Sequence, residues 1–286
     1  MAKPGISSMS MSLRPQIRIR HFFLVLIVIG ALMRFWGLND AWKRNDHYNF
    51  GGVWTTAYTE CWRATPFAVD RGVVAIGCKS AEPAYYRSHP PTGPWALSHF
   101  TSWIASPQAS YGFPEWSYRL FTLIFSILNI LGVFLIARAA KLDSMSALIA
   151  AALQSTALGN MYFGTHLDFI SEFTLSFCLL ATWLALLAHK SWQWGLVSLA
   201  GVIAGLTAWP GTLVFAPLTI LAWWRSRRHT WIPLLGGAIS VMIAVLWMGW
   251  LQRPHSEALP ASLFEFITSS ADRVMRFLEW KLLNPG

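Results

Sequence analysis

The sequence predicts an all-α polytopic integral membrane protein of about seven transmembrane helices, with a long first outer loop that carries interfacial helices. Three observations predict it. Hydrophobic residues fill 55% of the 286 positions and charged residues only 12%, against roughly 25% charged in soluble domains. Apolar runs recur that approach the roughly 20 residues needed to cross a hydrocarbon core. Seventeen tryptophans suit a membrane–water boundary, where the ring is half buried and its N–H stays wet. A net charge of +9 would suggest nucleic acid in a soluble protein. Here the basic residues sit mostly between apolar runs, so the expected partner is the lipid bilayer and no nucleic acid.

Residues 1–21 form a polar tail with Lys3, Arg14, Arg18 and Arg20. The run Phe22–Met33 opens a first span over 22–39. A basic segment before a short apolar run also describes a signal peptide, but no small-x-small cleavage site follows. The span is therefore read as retained, with Arg34 snorkelling at its outer end. Residues 40–115 are the long outer loop, where nothing stays apolar long enough to cross. Asp46–Thr59 and Pro94–Trp103 read as interfacial helices anchored by Trp54, Trp95 and Trp103. A loop this long is expected to be folded and functional.

Residues 116–251 hold six further spans: Trp116–Ala139, Ser146–Phe163, Phe169–Ala188, Trp192–Ala208, Thr212–Trp224 and Trp231–Leu251. Trp209-Pro210-Gly211 reads as a tight turn between the fifth and sixth spans, and 252–286 as an outer tail. The positive-inside rule orients the whole. With a cytoplasmic N-terminus, Arg138, Lys141, Lys190, Arg225, Arg227 and Arg228 all fall inside, and the short outer connections at 164–168 and 209–211 carry no Lys or Arg.

That topology gathers three polar groups on the non-cytoplasmic face: Asp46-His47-Tyr48, His89-Pro90-Pro91, and His166 with Asp168, with Glu172 one turn further on and Arg119 at the outer start of the second span. Charge near hydrocarbon costs about 2.5–3.5 kcal/mol at a helix centre, so gathering it on one face points to a polar, water-accessible site. Each residue alone has a plainer reading. Asp46 suits a solvated loop, His89 a rigid polyproline turn, Asp168 the first turn of a helix, and Glu115 with Arg119 a surface pair at i,i+4. Cys61 and Cys78 either close a disulfide in an oxidising compartment or stand as two thiols, since spacing does not fix geometry; Cys178 lies in an apolar helix. No cluster has metal-ligand spacing, so no cofactor is assigned, and a divalent metal is left open.

The order of these motifs resembles the GT-C fold glycosyltransferases, in particular the branch of protein O-mannosyltransferases and the lipid A aminoarabinose transferase. The resemblance rests on Arg34-Phe35-Trp36-Gly37-Leu38, then Asp46-His47-Tyr48, His89-Pro90-Pro91-Thr92, Glu115-Trp116-Ser117-Tyr118-Arg119-Leu120, and Asp168 entering the fourth span. It covers roughly residues 30–190. His47 stands where the family carries Glu, and Thr92 where it carries Leu. Many relatives continue beyond the point where this chain stops, which leaves open a minimal module, a truncation or a need for a partner.

The resemblance implies transfer of a sugar from a polyprenyl-phosphate donor to a hydroxyl acceptor, at the periplasmic or extracellular face of a bacterial inner (plasma) membrane. Asp46 is then the candidate base, because a hydroxyl is a poor nucleophile until its proton is taken. Arg119 is the candidate partner for the departing phosphate. His47, Tyr48, His89, His166 and Asp168 are the candidate donor- or acceptor-binding residues. The competing readings are a transporter or flippase-like protein and a non-catalytic membrane subunit. Few ionisable groups lie within the spans and no paired broken helices suggest a midplane site, which disfavours the transporter.

Overall fold

The computed structural model describes residues 13–36, 38, 56–57, 59–61, 63, 74–76, 84–86, 92–107, 113–158 and 172–246. Among them are eight α-helices: α1 Leu13–Met33, α2 Thr92–Ile104, α3 Glu115–Ala139, α4 Ser144–Thr156, α5 Glu172–Leu187, α6 Ser191–Thr207, α7 Phe215–Arg225 and α8 Trp231–Leu246. α3 is the one described helix long and apolar enough by itself to cross a membrane, and α5 is a shorter apolar helix.

Local chemistry sets the helix ends. Extended Pro114 precedes α3, with Glu115 in its first turn and Arg138 in its last, both favourable to the helix dipole. α3 closes in a Schellman motif: Leu142 N–H donates to Ala137 O at 3.1 Å and Lys141 N–H to Arg138 O at 3.0 Å. Lys141 takes the left-handed position at φ 65°. Asp143 then caps α4, accepting from the backbone N–H of Met145 at 2.7 Å and of Ser146 at 3.0 Å. Gln193 reaches back to cap α6, accepting from His189 N–H and Lys190 N–H at 2.7 and 2.9 Å.

α3 is central, packing against α2, α4 and α5; α1 lies on α4, α5 on α6, and α6 on α8. Small residues allow close approach: Ala181 and Ala185 of α5 share a core with Trp194, Val197 and Ala200 of α6 and with Phe215 and Leu218 of α7. Phe215 occupies a slot that exists because three facing positions lack a side chain. A Cβ at Gly201 would lie 2.7 Å from the ring, at Gly236 2.8 Å and at Gly237 3.3 Å. The outward faces carry Leu24, Val25 and Val28 on α1, Leu128 and Leu131 on α3, Leu199 on α6 and Leu234 and Leu235 on α8, all exposed. Such a surface suits hydrocarbon better than water.

The turns Ala188–Lys190 and Ser226–Thr230 meet at one end, where Ser191 Oγ lies 3.0 Å from His229 Nε2. Arg225 donates to Ala185 O at 3.0 Å and also to Leu186 O, closing the C-terminus of α5. Two of the basic connections assigned to one side from their charge are thus neighbours in space.

The all-α class holds, and three other expectations are revised. The described helices are accompanied by one short antiparallel pairing of Val74–Ile76 with Ala84–Tyr86, in register Val74–Tyr86, Ala75–Tyr85 and Ile76–Ala84. β-branched and aromatic residues favour such a strand pair within a long loop. Helix α1 begins at Leu13, nine residues before the apolar run (22 − 13), because helix-forming residues extend it beyond its hydrocarbon part. Trp209-Pro210-Gly211 is no isolated turn: a 3-10 helix runs Trp209–Val214 with proline in its first turn. Arg34 does not snorkel; it is fully buried.

Candidate active site

The buried polar side chains collect along the first half of α3. At the end of α1, the Arg34 guanidinium donates through Nε to Ser126 Oγ at 2.7 Å. Nη1 donates to Gly30 O at 2.6 Å and to Ser155 O at 2.7 Å, and Nη2 to Gln154 O at 3.3 Å. These carbonyls belong to the last turns of α1 and α4, where unsatisfied acceptors concentrate negative charge. Close packing brings them within reach, since a Cβ at Gly30 would lie 2.1 Å from Ser155 Oγ. Arg34 is therefore a bolt between α1, α3 and α4, with its fork occupied by protein.

One turn along α3, Asn129 Nδ2 donates to the Glu172 carboxylate and, at 3.1 Å, to the Glu172 backbone carbonyl. Ser176 Oγ lies 2.6 Å from Asn129 Oδ1, 2.9 Å from Glu172 O and 3.3 Å from Phe125 O, so one hydroxyl proton faces three acceptors. Arg34 and Glu172 are thus a buried cation and a buried carboxylate bonded to Ser126 and Asn129, one turn apart on α3, and opposite charges so placed offset part of each other's desolvation.

A second cluster joins the loop between α1 and α2 to the start of α3. Glu60 accepts from Tyr118 OH and, at 2.7 Å, from Arg63 Nη1. Arg63 Nη2 donates to Thr101 Oγ1 at 2.7 Å and Ser98 O at 3.1 Å on α2. Its guanidinium lies 3.9 Å from the centre of the Phe113 ring. Cys61, beside Glu60, is buried and disulfide-bonded. Arg119 follows Tyr118 and is 2% exposed; like Glu115 it takes part in a contact of its own. Its burial places it off the surface that a simple i,i+4 pair would occupy.

Below this polar end runs a row of aromatics. Phe100 and Phe121 are 5.3 Å apart between ring centres, Phe121 and Phe173 5.0 Å, Phe125 and Phe173 4.6 Å, and Phe173 and Phe177 5.3 Å. The row leads into an apolar groove of about 300 Å³ between α3 and α5, walled by Phe125, Leu128, Leu131, Leu135, Phe177 and Leu180.

Of the residues singled out in the sequence, Arg34, Cys61, Glu115, Arg119, Glu172 and Cys178 are described. Asp46, His47, Tyr48, Cys78, His89, His166 and Asp168 lie outside the described residues. Among the described residues no three of His, Cys, Asp and Glu cluster as metal ligands. Sequence reasoning missed Asn129, Glu60, Arg63 and Tyr118. A lone Asn inside an apolar span was the available signal for the first, and the i,i+3 spacing of Glu60 and Arg63 for the second cluster.

A family model described as dolichyl-phosphate-mannose-protein mannosyltransferase matches residues 88–250. The chain belongs to that family. Its members are integral membrane glycosyltransferases of the GT-C type. The match takes in α2 to α8, and with them Tyr118, Arg119, Glu172 and the apolar groove. It extends further toward the C-terminus than the motif resemblance did and begins after Asp46. No curated protein and no solved structure matches the chain.

Proposed function

We propose that this chain transfers a sugar, mannose in the first instance, from a polyprenyl-phosphate donor to a hydroxyl acceptor at the non-cytoplasmic face of a bacterial inner membrane. The observation that carries the reading is the apolar groove between α3 and α5, which starts at Phe125, roughly 9 Å along α3 from Arg119. A lipid phosphate needs that combination: a dry channel for the isoprenoid and a guanidinium for the headgroup. The family takes its name from such a donor, dolichyl-phosphate-mannose.

In the proposed step the acceptor oxygen bonds to the anomeric carbon as the bond from that carbon to the phosphate oxygen breaks. The lipid phosphate leaves with the electron pair, and the acceptor proton passes to Asp46. Arg119 stabilises the leaving phosphate. His89, held by two prolines, orients it, and His47, Tyr48, His166 and Asp168 contact sugar or acceptor. The reading takes seven spans with a cytoplasmic N-terminus, which gathers these residues on one face, and assigns Cys78 as the partner of Cys61.

The test is transfer by the purified chain supplied with radiolabelled polyprenyl-phosphate sugars, alongside Asp46→Asn. The proposal expects turnover in the wild type and its loss in Asp46→Asn with membrane insertion unchanged. Full activity in the variant removes Asp46 as base. Solute flux without turnover supports a transporter, and neither activity supports a scaffold.

A further inference from the structure

We infer that Glu60, Arg63 and Tyr118 form a latch that fixes the segment around Glu60 and Arg63 against the start of α3 for the transfer step. The inference rests on the transferase reading above. All three side chains are engaged with protein partners. Arg63 donates through Nη1 to Glu60 and through Nη2 to Ser98 and Thr101, and one face of its guanidinium lies against Phe113, so it is arranged to bind protein. One oxygen of Glu60 accepts from both Tyr118 and Arg63, which fixes the orientation of the carboxylate. Tyr118 is fully buried.

An exposed i,i+3 ion pair alone contributes little. This one is tied to two other elements, so a shift of the loop breaks bonds to α2 and α3 together. The chain between Arg34 and Glu60 is consequently anchored on α3 at both ends, at Ser126 through Arg34 and at Tyr118 through Glu60. Roughly 12 Å of helix axis separates the two anchors. The proposed base Asp46 belongs to the stretch between them, and the proposed phosphate ligand Arg119 adjoins one anchor. The disulfide at Cys61 secures the same point covalently.

Loss of the latch then affects chemistry more than donor capture, because the groove between α3 and α5 is untouched. The test measures transfer from polyprenyl-phosphate mannose by the full-length chain in lipid nanodiscs, for wild type, Tyr118→Phe, Glu60→Gln and Arg63→Lys. The expected result is a loss of roughly tenfold or more in kcat for Tyr118→Phe, since small misplacements of reacting groups are that costly, with donor KM within about twofold of wild type. Arg63→Lys is expected to fall with it, because an ammonium cannot span Glu60, Ser98 and Thr101. A folded Tyr118→Phe protein with wild-type kcat overturns the latch. Hydrogen exchange over residues 56–63 and 92–104 is read in parallel. If the wild type transfers no sugar, the transferase reading falls separately; faster exchange in Tyr118→Phe then still supports the latch, and unchanged exchange overturns it.

Discussion

Arg34 donates through Nε to Ser126 Oγ at 2.7 Å, joining the last turn of α1 to α3 across 92 residues of sequence. With three backbone carbonyls on its other donors, the side chain serves the packing of three helices. Arg34→Lys should therefore lower stability by about 3 kcal/mol, because removing partners from buried polar groups costs about 1–3 kcal/mol each. Thermal unfolding in detergent measures it. The folded fraction should keep the wild-type donor KM; a raised KM at unchanged stability would assign Arg34 to the substrate.

Lys141 closes α3 in the left-handed region, a conformation that costs a residue with a Cβ roughly 1–2 kcal/mol and glycine almost nothing. Lys141→Gly is expected to raise the melting temperature, and a fall would mean that the lysine side chain makes a compensating contact.

Asp143, two residues on, caps α4. The Ser146 backbone N–H above all, then its hydroxyl and the Met145 N–H, hold the carboxyl below its ordinary 3.8. A depressed carboxylate contributes stability that is present above the ordinary value and lost as pH falls through the folded one. The melting temperatures of wild type and Asp143→Ala should therefore differ by a constant amount at pH 5 to 7 and converge in acid below about 4. A difference that persists in acid would contradict the capping role.

The groove between α3 and α5 makes its own prediction. Leu131→Trp or Leu180→Trp places an indole in a channel of about 300 Å³. Either should raise the KM for a long polyprenyl donor severalfold and leave that of a two-isoprene donor near wild type. Equal effects on both donors would remove the groove as the seat of the isoprenoid.

Much of this was legible in the sequence because membrane helices announce themselves through composition. Glu115–Ala139, Glu172–Leu187 and Ser191–Thr207 lie within a few residues of the apolar runs that predicted them. The family was legible for a different reason: Arg119 and its neighbours stand in a fixed order. What could not be read was which polar residues face each other. Arg34 looked like a snorkelling end residue because three of its four partners, at Gly30, Gln154 and Ser155, are backbone carbonyls, which carry no side-chain signature. Tyr118 stood as one aromatic among many, and only the fold places Glu60 against it. The 3-10 helix at Trp209–Val214 was hidden because proline and glycine mark a turn without fixing its length.

The central claim is that a lipid phosphate is held at the start of α3. Initial rates of the purified chain over a range of polyprenyl-phosphate mannose, for wild type and Arg119→Ala, test it most directly. Charge-assisted hydrogen bonds contribute about 1.5–3 kcal/mol, so the donor KM should rise roughly tenfold to a hundredfold with the acceptor KM unchanged. An active Arg119→Ala protein with wild-type donor dependence would contradict the account.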